Sequence, residues 1–278
     1  MSLFVASINS GSNGNCYYLG NEHEAVLVDA GISCRETERR MKRLGLSMQK
    51  VRAIFVSHEH SDHINGITVL SRKYQLPVYI TPATLQSSGL QLEPHLVVSF
   101  KAYEPVQIGN IKVSAFPKFH DAAHAHSFNV VCGEVTVGVF TDIGAACDHV
   151  ISHFSKCHAA FLETNYDEEM LEKGRYPRHL KRRISGGLGH LSNRQALDVF
   201  LAHRPAFMSH LFLSHLSQDN NKPELVYELF KAYAGDTEII VASRHAETQV
   251  YYIDGSHISP EIQVKTHVEK GQVQYSLF

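Results

Sequence analysis

"SHEHSDH", residues 57–63, places three imidazoles, a glutamate and an aspartate within seven positions. Alone, such a cluster costs stability, because polar groups are desolvated side by side. It becomes favourable once a divalent cation sits among the donors, since neutral imidazoles and carboxylates are the ligands that first-row cations take. Ala53, Ile54, Phe55 and Val56 read as a short buried strand, and Ile64, Ile67, Leu70 and Tyr74 keep helical spacing over 64–74. The cluster therefore falls on a strand-to-helix loop. In an extended loop alternate side chains point the same way, so His58 and His60 can share one ion while Asp62 and His63 reach a second. The bland alternative is a polar surface loop in a chain of 19 histidines. Four positions fixed together in H-x-H-x-D-H after a buried strand weigh against it.

Two ions need more donors, and the sequence supplies them where apolar strands end. Asp29 closes "AVLVD", His120 follows "VSAFPKF", Asp142 closes "VGVFTD" and His215 closes "LFLSH". Singly such residues are commonly caps or turn formers. Together with residues 58–63 they are better explained as one site on one rim of the sheets. His124 and His126 stand close enough to His120 to compete with it.

The bulk properties restrict the classes. A chain of 278 residues with 44% apolar content can bury a substantial core, and no linker, repeat or low-complexity tract divides it, so one domain over 1–278 is expected. The formal charge of −2 argues against gripping a polyanion by overall charge, so any such site must be local. Cys16, Cys34, Cys132, Cys147 and Cys157 form no C-x-x-C pair and are odd in number, which fits a reducing cytoplasm. No signal-like N-terminus or membrane-length apolar run is present.

Strands are predicted at 3–8, 16–19, 25–29 and 52–57, with a helix over 34–44 opened by the capping box Ser33-x-x-Glu36. Hairpins are predicted through Gly109-Asn110 and Gly133-Glu134. Strands near 159–163, 208–214, 238–242, 249–253 and 272–276 then alternate with helices near 167–173, 195–203 and 223–233. Hairpin-rich strand sets interleaved with amphipathic helices imply an α/β fold of four layers, two mixed sheets packed together with helices outside.

At this point the sequence resembles the metallo-β-lactamase fold superfamily, whose five motifs match Asp29, the 58–63 cluster, His120, Asp142 and His215 in order. The resemblance implies one divalent ion on His58, His60 and His120, a second on Asp62, His63 and His215, and Asp142 bridging both. It implies that Asp29 orients the motif loop without binding metal. Zinc, manganese or iron would suit these donors.

The superfamily spans several chemistries, and three further stretches favour phosphate. "SGSNGN", residues 10–15, joins two strands through small residues, so Ser10, Ser12 and Asn15 are candidate phosphate contacts. "GGLGHLSN", residues 186–193, sets His190 beside a helix start capped by Ser192-x-x-Gln195, with Ser192 and Asn193 as further candidate contacts. Glu163 closes an apolar strand where it can orient an imidazole. A Glu163–His190 pair would serve as general acid, with Asp62 counted among the catalytic residues.

"SGSNGN", "LETNYD", "GHLSN" and "LSHLSQDNN" look like the YycJ (WalJ) branch of the superfamily, whose members are regarded as 5′-to-3′ exonucleases on double-stranded DNA. The expectation is a two-metal DNA exonuclease; an RNA-processing nuclease and a thioesterase- or lactamase-like hydrolase are the alternatives. The run Lys173, Arg175, Arg178, Lys181, Arg182 and Arg183, with no acid among them, is expected to overhang the cleft and track a nucleic-acid backbone.

Overall fold

A computed structural model of the chain describes residues 2–256, so the strand expected near 272–276 and the last part of the expected domain lie outside the described residues. One seven-stranded sheet is built from β1 (Leu3–Asn9), β2 (Cys16–Gly20), β3 (Ala25–Val28), β4 (Val51–Phe55), β5 (Val78–Tyr79), β6 (Val97–Val98) and β14 (Tyr251–Ile253), in the order β14-β1-β2-β3-β4-β5-β6. The other takes β7 (Val106–Ile108), β8 (Ile111–Pro117), β9 (His126–Cys132), β10 (Val135–Phe140), β11 (Ala159–Glu163), β12 (His210–Ser214) and β13 (Glu238–Val241), each beside its predecessor. In both sheets an antiparallel run gives way to parallel pairing. The change comes at β3–β4 in the first and at β10–β11 in the second.

The central strands are buried at every position, as a doubly covered sheet requires, and successive side chains alternate between the two faces. Val26 and Val28 face the other sheet and join Phe55, Phe128 and Phe161 in the core between the sheets. Ala25 and Leu27 turn outward and pack with Met41 of α1 (Cys34–Arg43) and with Ile67 and Leu70 of α3 (Ile67–Tyr74). On the far side, Leu162 and Leu213 pack against Val150 and Phe154 of α5 (Asp148–Phe154), Phe200 of α8 (Asn193–His203) and Phe230 of α9 (Pro223–Lys231). Helix, sheet, sheet and helix thus form the four expected layers. No helix among the described residues is long and apolar enough to cross a membrane.

The helix expected over 64–74 is two pieces, a single turn α2 (Ser61–Ile64) and α3, parted at Asn65-Gly66. The cause is backbone crowding. A Cβ at Gly66 would lie 2.1 Å from the Ile32 carbonyl oxygen, and one at Gly31 would lie 1.7 Å from that of Asp62. The 29–32 and 57–66 loops therefore touch main chain to main chain, with Asn15 N–H donating to Asp62 O at 2.6 Å, and only glycine fits between. Three further α-helices lie among the described residues: α4 (Pro82–Ser88), α6 (Glu168–Lys173) and α7 (Arg178–Ser185). Of these the sequence reading places only α6.

Candidate metal centre

Three strand ends on one rim carry a residue in the left-handed region: Asp29 (φ 59°) after β3, Asp142 (φ 55°) after β10 and His215 (φ 58°) after β12. Each such residue costs roughly 1–2 kcal/mol. The surrounding structure must therefore hold the bend in place, and strained backbone of this kind clusters at functional sites. The bends turn the three side chains toward the loop that carries residues 58–63.

There the side chains fall into two groups. His58 Nε2 lies 3.0 Å from His60 Nδ1, and His120 Nε2 lies 3.2 Å from the same atom. The other nitrogens of His58 and His120 are engaged, with Ser57 Oγ at 2.9 Å and Gly189 O at 3.0 Å. Those partners settle which nitrogen of each ring faces inward. In the second group His63 Nε2 and His215 Nε2 lie 3.5 and 3.4 Å from Asp62 Oδ2, and His63 Nε2 lies 3.1 Å from Asp142 Oδ2. Asp142 Oδ1 is 3.7 Å from His120 Nε2 and 3.6 Å from His215 Nδ1, so this carboxylate stands between the two groups.

The donor set fits two cations. Nitrogens held tetrahedrally about 2.0–2.1 Å from zinc sit about 3.3 Å from one another, close to the spacing of the first group. His63 Nδ1 contacts Asp29 Oδ2 at 2.7 Å, so in a neutral ring Nε2 carries no proton, and besides Asn15 Nδ2 at 3.1 Å it faces the acceptor Asp142 Oδ2. Asp142 Oδ2 is buried and makes no hydrogen bond among the described residues. Two buried acceptors aimed at each other need something positive between them. In the protein alone that charge is a proton. Burial by itself would lower the His63 pKa, but Asp142, Asp29 and Asp62 raise it to about 10. Burial likewise opposes ionisation of Asp142, yet His215 and His63 hold it well below the usual carboxylate range. His58 and His120 remain neutral imidazoles, burial pulling His58 well down and His120 to about 4.

A framework of buried groups aims these donors. Asp29 accepts from Ser57 N–H and Ser57 Oγ, both at 2.8 Å, besides contacting His63. Glu163, fully buried, contacts His190 Nδ1 at 2.7 Å and His215 Nδ1 at 2.9 Å through one oxygen, while the other accepts from Ile143 N–H (2.6 Å) and Leu191 N–H (3.2 Å). Burial would raise its pKa, but His190 and His215 outweigh it and hold it at about 2. His190 thus has Nδ1 engaged and lines the cleft, with its side chain 20% exposed.

Of the three histidines near residue 120, only His120 reaches the cluster. His124 is exposed, and His126 is buried at the start of β9 with Nδ1 on the His124 carbonyl and its ring against Phe100. Among the five candidate substrate contacts only Ser12 is exposed and lines the cleft. Ser10 is buried, its Oγ accepting from His215 N–H and sharing a hydrogen bond with Tyr17. Asn15 is buried and points Nδ2 at Asp62 Oδ2 (3.1 Å), so it positions that carboxylate. Ser192 is spent on the α8 capping box and on Glu168, and Asn193 pairs side chain to side chain with Asn221. Small polar residues in a loop look alike in sequence whether they face ligand or backbone.

The basic run divides in a way its composition does not foretell. Arg183 reaches the cleft and pairs with Asp121 at 2.6 Å. Arg178, Lys181 and Arg182 line a separate groove of about 780 Å³ beside Glu168 and Glu172, while Lys173 pairs with Glu169 and Arg175 lies 3.9 Å from Asp219. The cleft, about 360 Å³, is walled by Tyr176, Leu180 and Ile184, which no motif announced, although the i, i+4 pair Leu180 and Ile184 was a readable signal for α7. Lys118 was also missed. It is buried, donates to the Thr141 carbonyl at 2.6 Å, and has its pKa lowered by burial against the pull of Asp142.

Comparison with known proteins agrees with this architecture. Residues 24–215 match the family model described as the beta-lactamase superfamily domain. The chain is 36% identical over 233 residues to the exodeoxyribonuclease YycJ of Bacillus anthracis, covering 81% of this chain and 86% of that protein. It is 31% identical to the exodeoxyribonuclease WalJ of Streptococcus pneumoniae, covering 78% and 83%. Among solved structures, the metallo-beta-lactamase fold protein YhfI from Bacillus subtilis shares the fold with a TM-score of 0.70, over 91% of this chain and all of that one, at 17% identity.

Proposed function

The chain belongs to the beta-lactamase superfamily, and from that premise we propose that it is a metal-dependent phosphodiesterase that removes nucleotides from the 5′ ends of double-stranded DNA. His58, His60 and His120 would hold one divalent cation and Asp62, His63 and His215 a second, with Asp142 shared; zinc and manganese suit the donors. When bound, the pair of cations supplies charge stabilisation at the phosphate and an activated water.

The observation that carries the reading is the buried Glu163 holding two imidazoles at once, His215 within the cluster and His190 at the cleft wall. With Nδ1 committed to Glu163, His190 offers Nε2 to the cleft. An imidazolium there can protonate the departing 3′ oxygen, which hydrolysis of a phosphodiester demands and opening of a lactam or thioester does not demand in the same place. The Glu163 anion stabilises that imidazolium and fixes its orientation. Ile143 and Leu191 N–H groups hold the carboxylate in turn. Asn15 sets Asp62, and Asp29 sets His63. Similarity to proteins named exodeoxyribonucleases supports DNA as the substrate class.

The test is digestion of end-labelled duplex DNA, single-stranded DNA and RNA by the manganese- or zinc-loaded chain, with and without chelator. Mononucleotides should leave in order from the 5′ end of duplex DNA, and chelator should stop the reaction. Glu163→Gln and His190→Asn should each lower kcat by roughly 10²–10⁴-fold, the range general acids contribute, with the smaller loss for Glu163→Gln. RNA cleavage alone would move the protein to the RNA-processing reading; no metal-dependent cleavage of any polynucleotide would remove the proposal.

A further inference from the structure

Outside the metal cluster and its supports, a further charged group among the described residues has a buried atom without a partner. Arg244 lies between β13 and β14, with its Nη1 buried and without a hydrogen-bond partner, and no carboxylate pairs with it among the described residues. A guanidinium N–H taken out of water without an acceptor is costly, so its position calls for an acceptor that arrives.

The surroundings say what kind. A cavity of about 140 Å³ opens beside Arg244, walled in part by Ser10, Ser217, Gln218, Ser243 and His245, and no carboxylate lines it. It adjoins the metal cleft, because Ser217 lines both and Ser10 accepts the His215 N–H. The Arg244 backbone is held in place. Ser10 N–H donates to Ser243 O at 3.2 Å, Asn13 Nδ2 to Arg244 O at 2.8 Å and Arg40 Nη2 to His245 O at 3.1 Å. Gly11, at φ +134°, lets the 10–15 loop press against this segment, since a Cβ there would meet Arg244 Cβ at 3.3 Å. The glycine-serine loop therefore serves largely as a brace for the arginine, with Ser12 alone facing the cleft.

We propose that this cavity binds a second phosphate of the same polynucleotide, one not engaged by the cations, with Arg244 as its charged donor and the Ser217 and Ser243 hydroxyls as neutral ones. The proposal rests on the nuclease reading, since only a substrate with more than one phosphate can fill both places. A second anchor next to the cleft would fix which linkage lies over the cations. A terminal monoester and an internal diester offer the same chemistry to the cavity.

The test uses the metal-loaded full chain and short duplexes that carry or lack a terminal phosphate, or carry one neutral methylphosphonate linkage beside the scissile one. For the native chain, removing one particular phosphate should raise KM about tenfold, the scale of a charge-assisted hydrogen bond, with kcat within about threefold. In Arg244→Gln the same removal should change KM less than about twofold, while Arg244→Lys keeps part of the effect, as a charge without the planar fork would. Which removal matters tells terminal from internal phosphate. If Arg244→Gln responds to every removal as the native chain does, the inference is wrong. Inorganic phosphate titrated into the full chain, with melting curves to show that each variant is folded, gives a reading that needs no hydrolysis. Binding lost in Arg244→Gln and kept in Asp142→Asn supports the cavity even if no polynucleotide is cut; binding equal in Arg244→Gln, or absent from the native chain, overturns it.

Discussion

The two sheets carry matching strand ends with opposite fates. β3 and β10 are each the last antiparallel strand before the sheet turns parallel, and just beyond each comes an aspartate in the left-handed region, Asp29 and Asp142. Asp29 is closed: both oxygens are engaged, by Ser57 and His63. Asp142 is open, with Oδ2 buried and unbonded. The difference lies in what faces each residue across the rim. Asp29 meets a hydroxyl and a main-chain N–H from its own sheet, whereas Asp142 meets His63 Nε2, whose other nitrogen Asp29 already holds, so only an added proton or metal cation can join the two. A carboxylate with donors supports the site, and one without them needs a cation.

The contrast is broken most directly at Asp142. Asp142→Asn removes the charge shared by both groups, and with it several kcal/mol of charge stabilisation, so chelator-sensitive hydrolysis should fall about 10³-fold or more. The metal-free chain should also lose stability in a denaturant titration, because the variant removes a buried acidic partner of the protonated His63. A variant within tenfold of the native rate would mean that the open carboxylate is not where the chemistry is held.

Asp29→Asn should part from it in the reaction and not in stability. It breaks a buried pair with His63 in which both side chains are 0% exposed, so unfolding free energy should drop by about 3 kcal/mol. Its effect on the reaction should be indirect, a roughly 10–100-fold loss of metal affinity as His63 loses its orientation. Excess metal should then restore turnover in Asp29→Asn and fail to do so in Asp142→Asn. Rescue of both, or of neither, would erase the distinction between supporting and binding carboxylates.

How far the sequence shows this distinction depends on what is local. Strand ends were legible because apolar runs stop abruptly before Asp29, Asp142 and His215, and the cluster at 58–63 declared itself by density. The four-layer architecture followed from the same runs. The breaks and braces were not legible. Gly66 parts α2 from α3 because of a carbonyl on another loop, and Asn15 turns from the expected phosphate toward Asp62 because of main chain 47 residues away. Arg40 and Arg244 look equivalent in sequence. In the structure Arg40 spends its donors on Glu36, Ile8 O, Asn9 and His245 O, while Arg244 keeps a buried nitrogen unpaired. Long-range partners decide such cases, and periodicity carries no information about them.

That second pair of arginines gives the smallest and most separable expectation. Hydrogen bonds from Arg39 and then Arg40 hold the Glu36 carboxyl at about 2, against an ordinary value of 4.5. A folded value below the unfolded one means stability that is fully present above about pH 4.5 and lost as pH falls toward 2. Glu36 is 24% exposed and Arg39 60% exposed, so solvent screening reduces the contribution to about 1 kcal/mol. Glu36→Gln should therefore be about 1 kcal/mol less stable than the native chain at neutral pH, and the gap should close as pH drops from 4.5 toward 2 in denaturant titrations. A gap that stays constant with pH would show that Arg40 holds its place through the Ile8, Asn9 and His245 contacts alone. The closed arginine would then owe nothing to its carboxylate, and closure at this end of the molecule would be a matter of main-chain acceptors, unlike the carboxylate-centred closure around Asp29.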